Sequence, residues 1–142
     1  MGPLWDYNMA MGNVNYAHND EPGYLTAGWN DSYMAPGVNG WCPWWHRLDS
    51  DPGYFRRLVD RWHELRLGPL SDASILADIE TTATILEAAA ARNFKRWPVL
   101  GQYVWANPPG WNGRTTYRSE VEWMKQWLLD RAAWLDSQLV EP

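Results

Sequence analysis

The sequence is poor in several residue types, and each shortage excludes a class of protein. Its single cysteine, Cys42, excludes a disulfide within the chain. Only two of its 12 basic residues are lysines and the formal net charge is −5, so it lacks the basic stripe that follows phosphates in nucleic-acid complexes. No apolar run approaches the ~20 residues that a membrane-spanning helix needs. We therefore expect neither a nucleic-acid partner nor a membrane span.

Large aromatic residues, by contrast, are abundant. The chain has 12 Trp and 7 Tyr but only 2 Phe. Rings of this size bury on the order of 150–250 Å² each, so a few of them can anchor a core. A chain of 142 residues has room for one domain. Its first residues, Met1–Asp6, have neither the basic nor the apolar segment of a secretory signal peptide.

Residues 3–40 show little hydrophobic periodicity. Pro3–Tyr7 is a candidate short strand, and Gly12-Asn13 would end it. Residues 13–40 are predicted to form one long loop, whose aromatic side chains favour packing over disorder. Helices cannot supply hydrogen-bond partners to so much irregular backbone. We therefore expect the partner sheet to lie upstream, in sequence that this chain does not contain.

Capping and turn residues predict three helices in the remainder of the chain, near residues 53–67, 72–97 and 116–139. The first is expected to follow Asp51-Pro52, because Asp caps a helix and Pro at the first helical position sacrifices no hydrogen bond. The sequence thus predicts a mainly α fold, with three principal helices behind an irregular aromatic N-terminal loop region that has one short strand.

Each predicted helix carries one apolar stripe at helical spacing. The stripe of the first helix comprises Phe55, Leu58, Val59, Trp62 and Leu65. That of the second comprises Ile75, Ile79, Thr82, Leu86 and Ala90. That of the third comprises Tyr117, Val121, Met124, Leu128, Ala132, Leu135 and Leu139. We expect the three helices to pack together through these stripes, with Trp62 in the shared core.

One segment near the start could bind a metal. Asp6 would end the candidate strand, and Asn8 and a turn at Gly12 follow it. Carboxylate and amide oxygens are hard ligands, and Mg²⁺ takes one or two carboxylates together with phosphates and water. Such an arrangement holds the metal over the phosphates of a nucleotide in phosphoryl transfer. On spacing alone, the alternative is that Asp6 starts a turn and Trp5 is a core residue.

An ordered set of segments covers nearly the whole chain: Gly2–Asn13, Pro43–Leu48, Asp51–Phe55, Arg61–Arg66, Arg92–Trp97, and a last helix with Trp123, Leu128, Arg131 and Trp134-Leu135. In this order the segments resemble the CotH kinase family, named after a spore coat protein H. The first of them is similar to the family's Trp-Asp-aromatic-Asp and Gly-Asn segment. In that comparison Asp6 stands at the metal-ligating Asp, and Asn8 stands where the family commonly has a second Asp.

The resemblance implies an atypical protein-kinase-like fold that binds ATP and Mg²⁺ and phosphorylates Ser or other hydroxyl groups of proteins. It also implies that the nucleotide-binding lobe, its Lys and the catalytic-loop Asp precede the Trp-Asp segment. Residues 1–142 would then be the C-terminal part of a kinase domain, with the metal-site segment and aromatic loop in 1–42 and the helical part in 43–142. We expect no catalytic residue in this chain, weak or no binding of Mg²⁺ and ATP by the chain alone, and no activity without the N-terminal lobe.

The resemblance further implies a bacterial secreted protein, extracellular or on a cell or spore surface, with a protein substrate. The alternative from another class is a non-catalytic module that binds carbohydrate or protein through exposed aromatic rings. Its candidate residues lie in loops or at helix starts, where exposed rings can stack on sugars: Trp29, Trp41, Trp44, Trp45, Trp105 and Trp111.

Other candidate sites are less favoured. A zinc site would need His46 and His63, on different helical segments, and His18, in a loop, to converge with a fourth ligand. Asp49–Asp51 resembles a fragment of a calcium loop, but Pro52 directly after it favours a helix cap. Cys42 has no nearby base and is expected to be a small buried hydrophobe.

Overall fold

The computed structural model describes residues 7–18, 21–29, 47–48 and 50–140. Within these ranges the protein is mainly helical, as expected, and its three long helices are α1 (Pro52–Arg66), α2 (Asp72–Arg96) and α3 (Tyr117–Gln138). Each end of these helices lies within one residue of the predicted position. Among the described residues, no helix is long and apolar enough to cross a membrane.

Local capping explains why the helices begin where they do. The Asp51 carboxylate accepts a hydrogen bond from the Gly53 N–H at 2.8 Å, as the predicted cap of α1 should. Ser71 caps α2 in the same way. Thr116 and Ser119 form a reciprocal capping box at the start of α3, with both backbone-to-hydroxyl bonds at 3.0 Å. These contacts are short-range, which is why sequence predicts them well.

Helices α2 and α3 pack against each other. The buried contact residues include Ala83 on α2 and Val121 on α3, and the Tyr117 hydroxyl donates to the Ala83 carbonyl at 3.2 Å. The predicted stripe of α3 is confirmed, whereas that of α2 is wrong at two positions: Thr82 is exposed and Leu86 is 47% exposed. A small residue, Ala83, takes the central position because it lets the two backbones approach closely.

Helix α1 meets the end of α3 mainly through polar contacts. The Trp62 indole N–H donates to the Asp136 carboxylate at 2.9 Å, and Arg66 binds the same carboxylate at 3.0 Å. The ring nitrogen of His63 lies 2.7 Å from the Leu139 carbonyl oxygen. Trp62 is therefore half-buried at a helix junction rather than in a core shared by all three helices. The side chain that α1 buries completely is Val59, at 1% exposure.

A charged network joins the outer faces of α2 and α3. Glu80 contacts Arg118 at 2.6 Å and Lys125 at 2.7 Å. Arg118 also reaches Glu87, and Lys125 reaches Glu122. Hydrogen bonds from Lys125 and then Arg118 lower the pKa of the Glu80 carboxyl to about 2. Because these carboxylates are largely exposed, each ion pair contributes little to stability.

The described part of the N-terminal region contains turns and one short ladder. Of the candidate strand, residues 3–6 lie outside the described residues, and Tyr7 begins a turn instead of continuing a strand. The Ala10 N–H donates to the Tyr7 carbonyl and the Asn13 N–H to the Ala10 carbonyl, at 3.0 and 3.1 Å. Further along, β1 (Ala17–His18) and β2 (Glu21–Pro22) form a two-residue antiparallel ladder inside the predicted loop.

Candidate functional site

The segment predicted to bind a metal is described from Tyr7 onward, so Asp6 lies outside the described residues. Asn8 is exposed in the turn. Its carbonyl accepts a hydrogen bond from the Asn13 side-chain amide at 2.7 Å, which closes the turn over five residues. The Asn8 side chain is thus held on a closed turn and faces solvent.

Gly12 seats this turn against α3. Its φ is +76°, in the left-handed region that glycine adopts without steric cost. A Cβ at this position would lie only 2.3 Å from Nε1 of Trp127. The Trp127 indole N–H in turn donates to the Tyr24 carbonyl at 2.7 Å. Only glycine therefore permits the turn to contact the ring that also holds the loop at residue 24.

A cleft of about 380 Å³ opens beside the turn, between it and the first half of α3. Its polar lining consists of Asn8, Asn13, Asn107, Arg114 and Glu120. Arg114 is only 8% exposed and contacts Glu120 at 2.8 Å. Its guanidinium also donates to the carbonyls of Pro109 and Pro108 at 3.2 and 3.5 Å and lies 4.8 Å from the ring centroid of Trp123. Arg114 is therefore a structural cation with its partners already in place.

The described residues do not by themselves fit a metal centre. In the part of the chain that the structure describes, no three His, Cys, Asp or Glu side chains come together. The acidic residue in the cleft, Glu120, is neutralised by Arg114. The turn offers the neutral amide oxygen of Asn8, whereas Mg²⁺ in proteins binds at least one carboxylate. The fit therefore depends on Asp6.

Two side chains one turn apart on α3 hold the loop before Trp29. Trp127 donates to Tyr24, and the Arg131 guanidinium donates to the carbonyls of Thr26 and Gly28 at 2.9 and 2.7 Å. Sequence reasoning missed this arrangement. The available signal was the spacing of Trp127, Arg131 and Trp134, which places three large side chains along one face of α3.

The predicted aromatic residues fall into separate places. Trp105 is 68% exposed and stacks on Tyr16, with centroids 6.0 Å apart and an interplanar angle of 15°. Trp111 packs on Tyr103 at 6.0 Å. Trp29 instead packs edge-on against Trp134, at 4.9 Å. The remaining candidates lie outside the described residues: Trp41, Trp44 and Trp45.

The remaining candidates from the sequence were a zinc site, Cys42 and a calcium loop. His46 and Cys42 lie outside the described residues, whereas His63 approaches a backbone carbonyl at 2.7 Å. Asp51 caps α1, which confirms the helix-cap interpretation over the calcium loop.

The described residues define a mainly helical domain in which an N-terminal turn packs on the last helix beside a polar cleft. A family model described as CotH kinase protein matches residues 1–135. The chain therefore belongs to the CotH kinase protein family, and the resemblance noted in the sequence is confirmed. No curated protein and no solved structure matches the chain.

Proposed function

We propose that this chain is the metal-site and helical part of a CotH-type kinase domain, an ATP-dependent phosphotransferase that acts on protein hydroxyl groups. The observation that carries the proposal is the family match, which includes the Asp6 segment, the first two helices and most of the third. In this proposal an upstream lobe supplies the nucleotide-binding Lys and the catalytic Asp. A location outside the cell or on a cell or spore surface belongs to the same proposal.

Within this function, Asp6 and Asn8 contribute metal ligands. The metal, when bound, would neutralise charge on the nucleotide phosphates. The support is local: the Asn8 side chain is exposed, Asn13 closes its turn at 2.7 Å, and Gly12 fixes the turn on Trp127. A turn fixed in this way loses little conformational freedom when a ligand binds. In this proposal Asp6 supplies the negative charge of the metal site, because Asn8 is neutral.

Metal titration by calorimetry tests this assignment. One carboxylate and one amide leave most of the coordination shell to water, so we expect no Mg²⁺ site tighter than roughly millimolar in the chain itself. Asn8→Asp adds the carboxylate that the family commonly has, and should tighten Mg²⁺ binding by about tenfold or more, equivalent to about 1.4 kcal/mol. Asp6→Asn should remove the binding in both backgrounds.

The matched control is Asp130→Asn, which removes an acidic charge from an exposed residue of α3 that accepts from Gln126. It should leave the affinity of the Asn8→Asp protein unchanged. If Asp130→Asn and Asp6→Asn weaken Mg²⁺ binding equally, the affinity depends only on the net charge of the chain. An Asn8→Asp protein whose Mg²⁺ affinity equals that of the wild type would also refute the assignment of the metal ligands.

A second candidate function is favoured by one observation. Trp105 and Tyr16 are both exposed and their rings are nearly parallel, which gives a flat surface on which a sugar ring could stack. Titration with soluble oligosaccharides, followed by tryptophan fluorescence, should then give saturable binding that Trp105→Ala abolishes. Trp97→Ala is the control, because Trp97 is also exposed but contacts Arg96 at 4.9 Å instead. Equal loss in both variants, or no saturable binding, removes this candidate.

A further inference from the structure

A second cleft, of about 440 Å³, lies between the N-terminal segments and the last turns of α3. Its described lining includes Gly12, Pro22, Gly28, Trp29, Trp127 and Arg131. Arg131 is the charged member of that lining, and none of the described lining residues is acidic. The described lining thus carries net positive charge from a single guanidinium.

The Arg131 guanidinium uses only some of its N–H groups in hydrogen bonds to described residues. Of its five N–H groups, the two on Nη1 are satisfied by the carbonyls of Thr26 and Gly28. The carbon of the guanidinium lies 4.5 Å from the ring centroid of Trp134. The remaining N–H groups, on Nε and Nη2, have no hydrogen-bond partner among the described residues.

Arg131 differs from the other shielded arginines in this respect. The others that are buried or half-buried in the described ranges each contact a carboxylate at 2.6–2.8 Å: Arg66, Arg114 and Arg118. Burial lowers the pKa of the Arg131 guanidinium, and no carboxylate of the described residues pairs with it. A desolvated cation is costly unless it is paired, so an anion brought to Arg131 gains more than one brought to an exposed arginine.

The backbone beside Arg131 adds further donors. Gly12 and Gly28 have positive φ values of 76° and 93°. Neither N–H has a hydrogen-bond partner within the described part of the chain. Backbone N–H groups of turns with left-handed residues are common anion ligands. Gly12 and Gly28 line the cleft together with Arg131.

We propose that this cleft binds a phosphate group through Arg131. The site uses neither Asp6 nor Asn8, so it is independent of the metal assignment. The planar fork of an arginine matches the oxygens of a phosphate, and Trp29 at the rim, 47% exposed, can contact whatever carries the group. The phosphate could be a free ion or an ester, and the two share the same recognition chemistry.

The test is a titration of the ¹⁵N-labelled chain with inorganic phosphate at constant ionic strength, followed by NMR. Saturable shifts are expected for the Arg131 Nε–H, the Trp127 indole N–H and the Gly28 amide. Arg131→Gln should weaken binding by at least tenfold. Arg96→Gln, which removes an exposed arginine stacked on Trp97, is the matched control and should leave binding unchanged.

Because Arg131 also holds the loop carbonyls, the Arg131→Gln protein could lose its fold. The wild-type Arg131 Nε–H signal then decides the matter, since only binding at this side chain shifts it saturably. Parallel titrations with O-phosphoserine and adenosine monophosphate identify the carrier, and equal affinity for inorganic phosphate identifies a free ion. Shifts that chloride reproduces, or that persist in folded Arg131→Gln protein, would overturn the proposal, as would no shift at all.

Discussion

Replacing Gly12 with alanine should displace the N-terminal turn from α3. The residue has φ +76°, and holding an alanine in this left-handed conformation costs about 1–2 kcal/mol. The new Cβ would also lie 2.3 Å from Nε1 and 2.6 Å from Cδ1 of Trp127. Forcing the ring aside is an overpacking effect of about 1–3 kcal/mol. The two effects together predict a loss of about 2–5 kcal/mol, a large share of the roughly 5–15 kcal/mol that stabilises a typical domain.

Urea denaturation followed by circular dichroism measures this loss, and the NMR shift of the Trp127 indole N–H reports its bond to the Tyr24 carbonyl. Gly68→Ala is the matched control, because no atom lies within 4 Å of its added Cβ and its φ is not positive. That variant should stay within about 0.5 kcal/mol of the wild type. A Gly12→Ala protein with wild-type stability and an unmoved Trp127 signal would refute the packing of the turn on α3.

Further predictions concern the helices and the activity. Lys125 helps to hold the pKa of Glu80 at about 2, below the usual 4.5. A carboxyl group whose pKa is lowered by folding stabilises the fold at pH values above 4.5, and this stabilisation is lost as the pH falls through 2. Glu80→Gln should therefore reduce the loss of stability between pH 4.5 and pH 2 in acid titrations. Trp62→Phe removes the bond to the Asp136 carboxylate and should cost about 1.5–3 kcal/mol in urea denaturation, the range for a hydrogen bond to a charged group. A cost above about 3 kcal/mol, typical of core truncations, would indicate that Trp62 lies in a shared core. In the presence of Mg²⁺, the chain should release no phosphate from ATP. A measured turnover of ATP that Asp6→Asn abolishes would contradict this prediction.

The helices were predictable because their determinants are local. Asp51, Ser71 and Thr116 cap helices within three residues of themselves. The apolar spacing of α3 also identified its buried face. The face of α2 was less predictable: apolar spacing favours Leu86, but close packing against α3 selects the small Ala83. Spacing alone does not reveal how closely two helices approach.

The front of the molecule depends on contacts distant in sequence. Tyr24 and Thr26 are held by α3 side chains more than 100 residues away. Gly12 is required by its left-handed backbone and also by Trp127, which lies against it. A reading of local turn chemistry predicts a break at Gly12 but cannot identify the ring that occupies the adjacent space. Such tertiary contacts set the geometry of both clefts.

The contacts around the candidate site likewise depend on tertiary structure. The resemblance singled out Asn8 and its neighbours and also included Arg131 and Trp134, without indicating what these α3 residues contact. The pairing of Arg114 with Glu120 could not be anticipated, because six residues separate them across the start of α3. The ion pair matters to the candidate site because it neutralises the acidic side chain of the cleft that Asn8 also lines.

The central claim, that the turn at Asn8 carries a divalent-metal site of a kinase domain, is tested most directly by paramagnetic broadening. Mn²⁺ added at a low ratio to the ¹⁵N-labelled chain should selectively broaden the amide signals of Tyr7, Asn8 and Asn13, and Asp6→Asn should restore them. Because exchange is fast at weak sites, even millimolar binding suffices for this measurement. Broadening centred on the acidic network around Glu80 and Glu122, or none in the turn, would contradict the account.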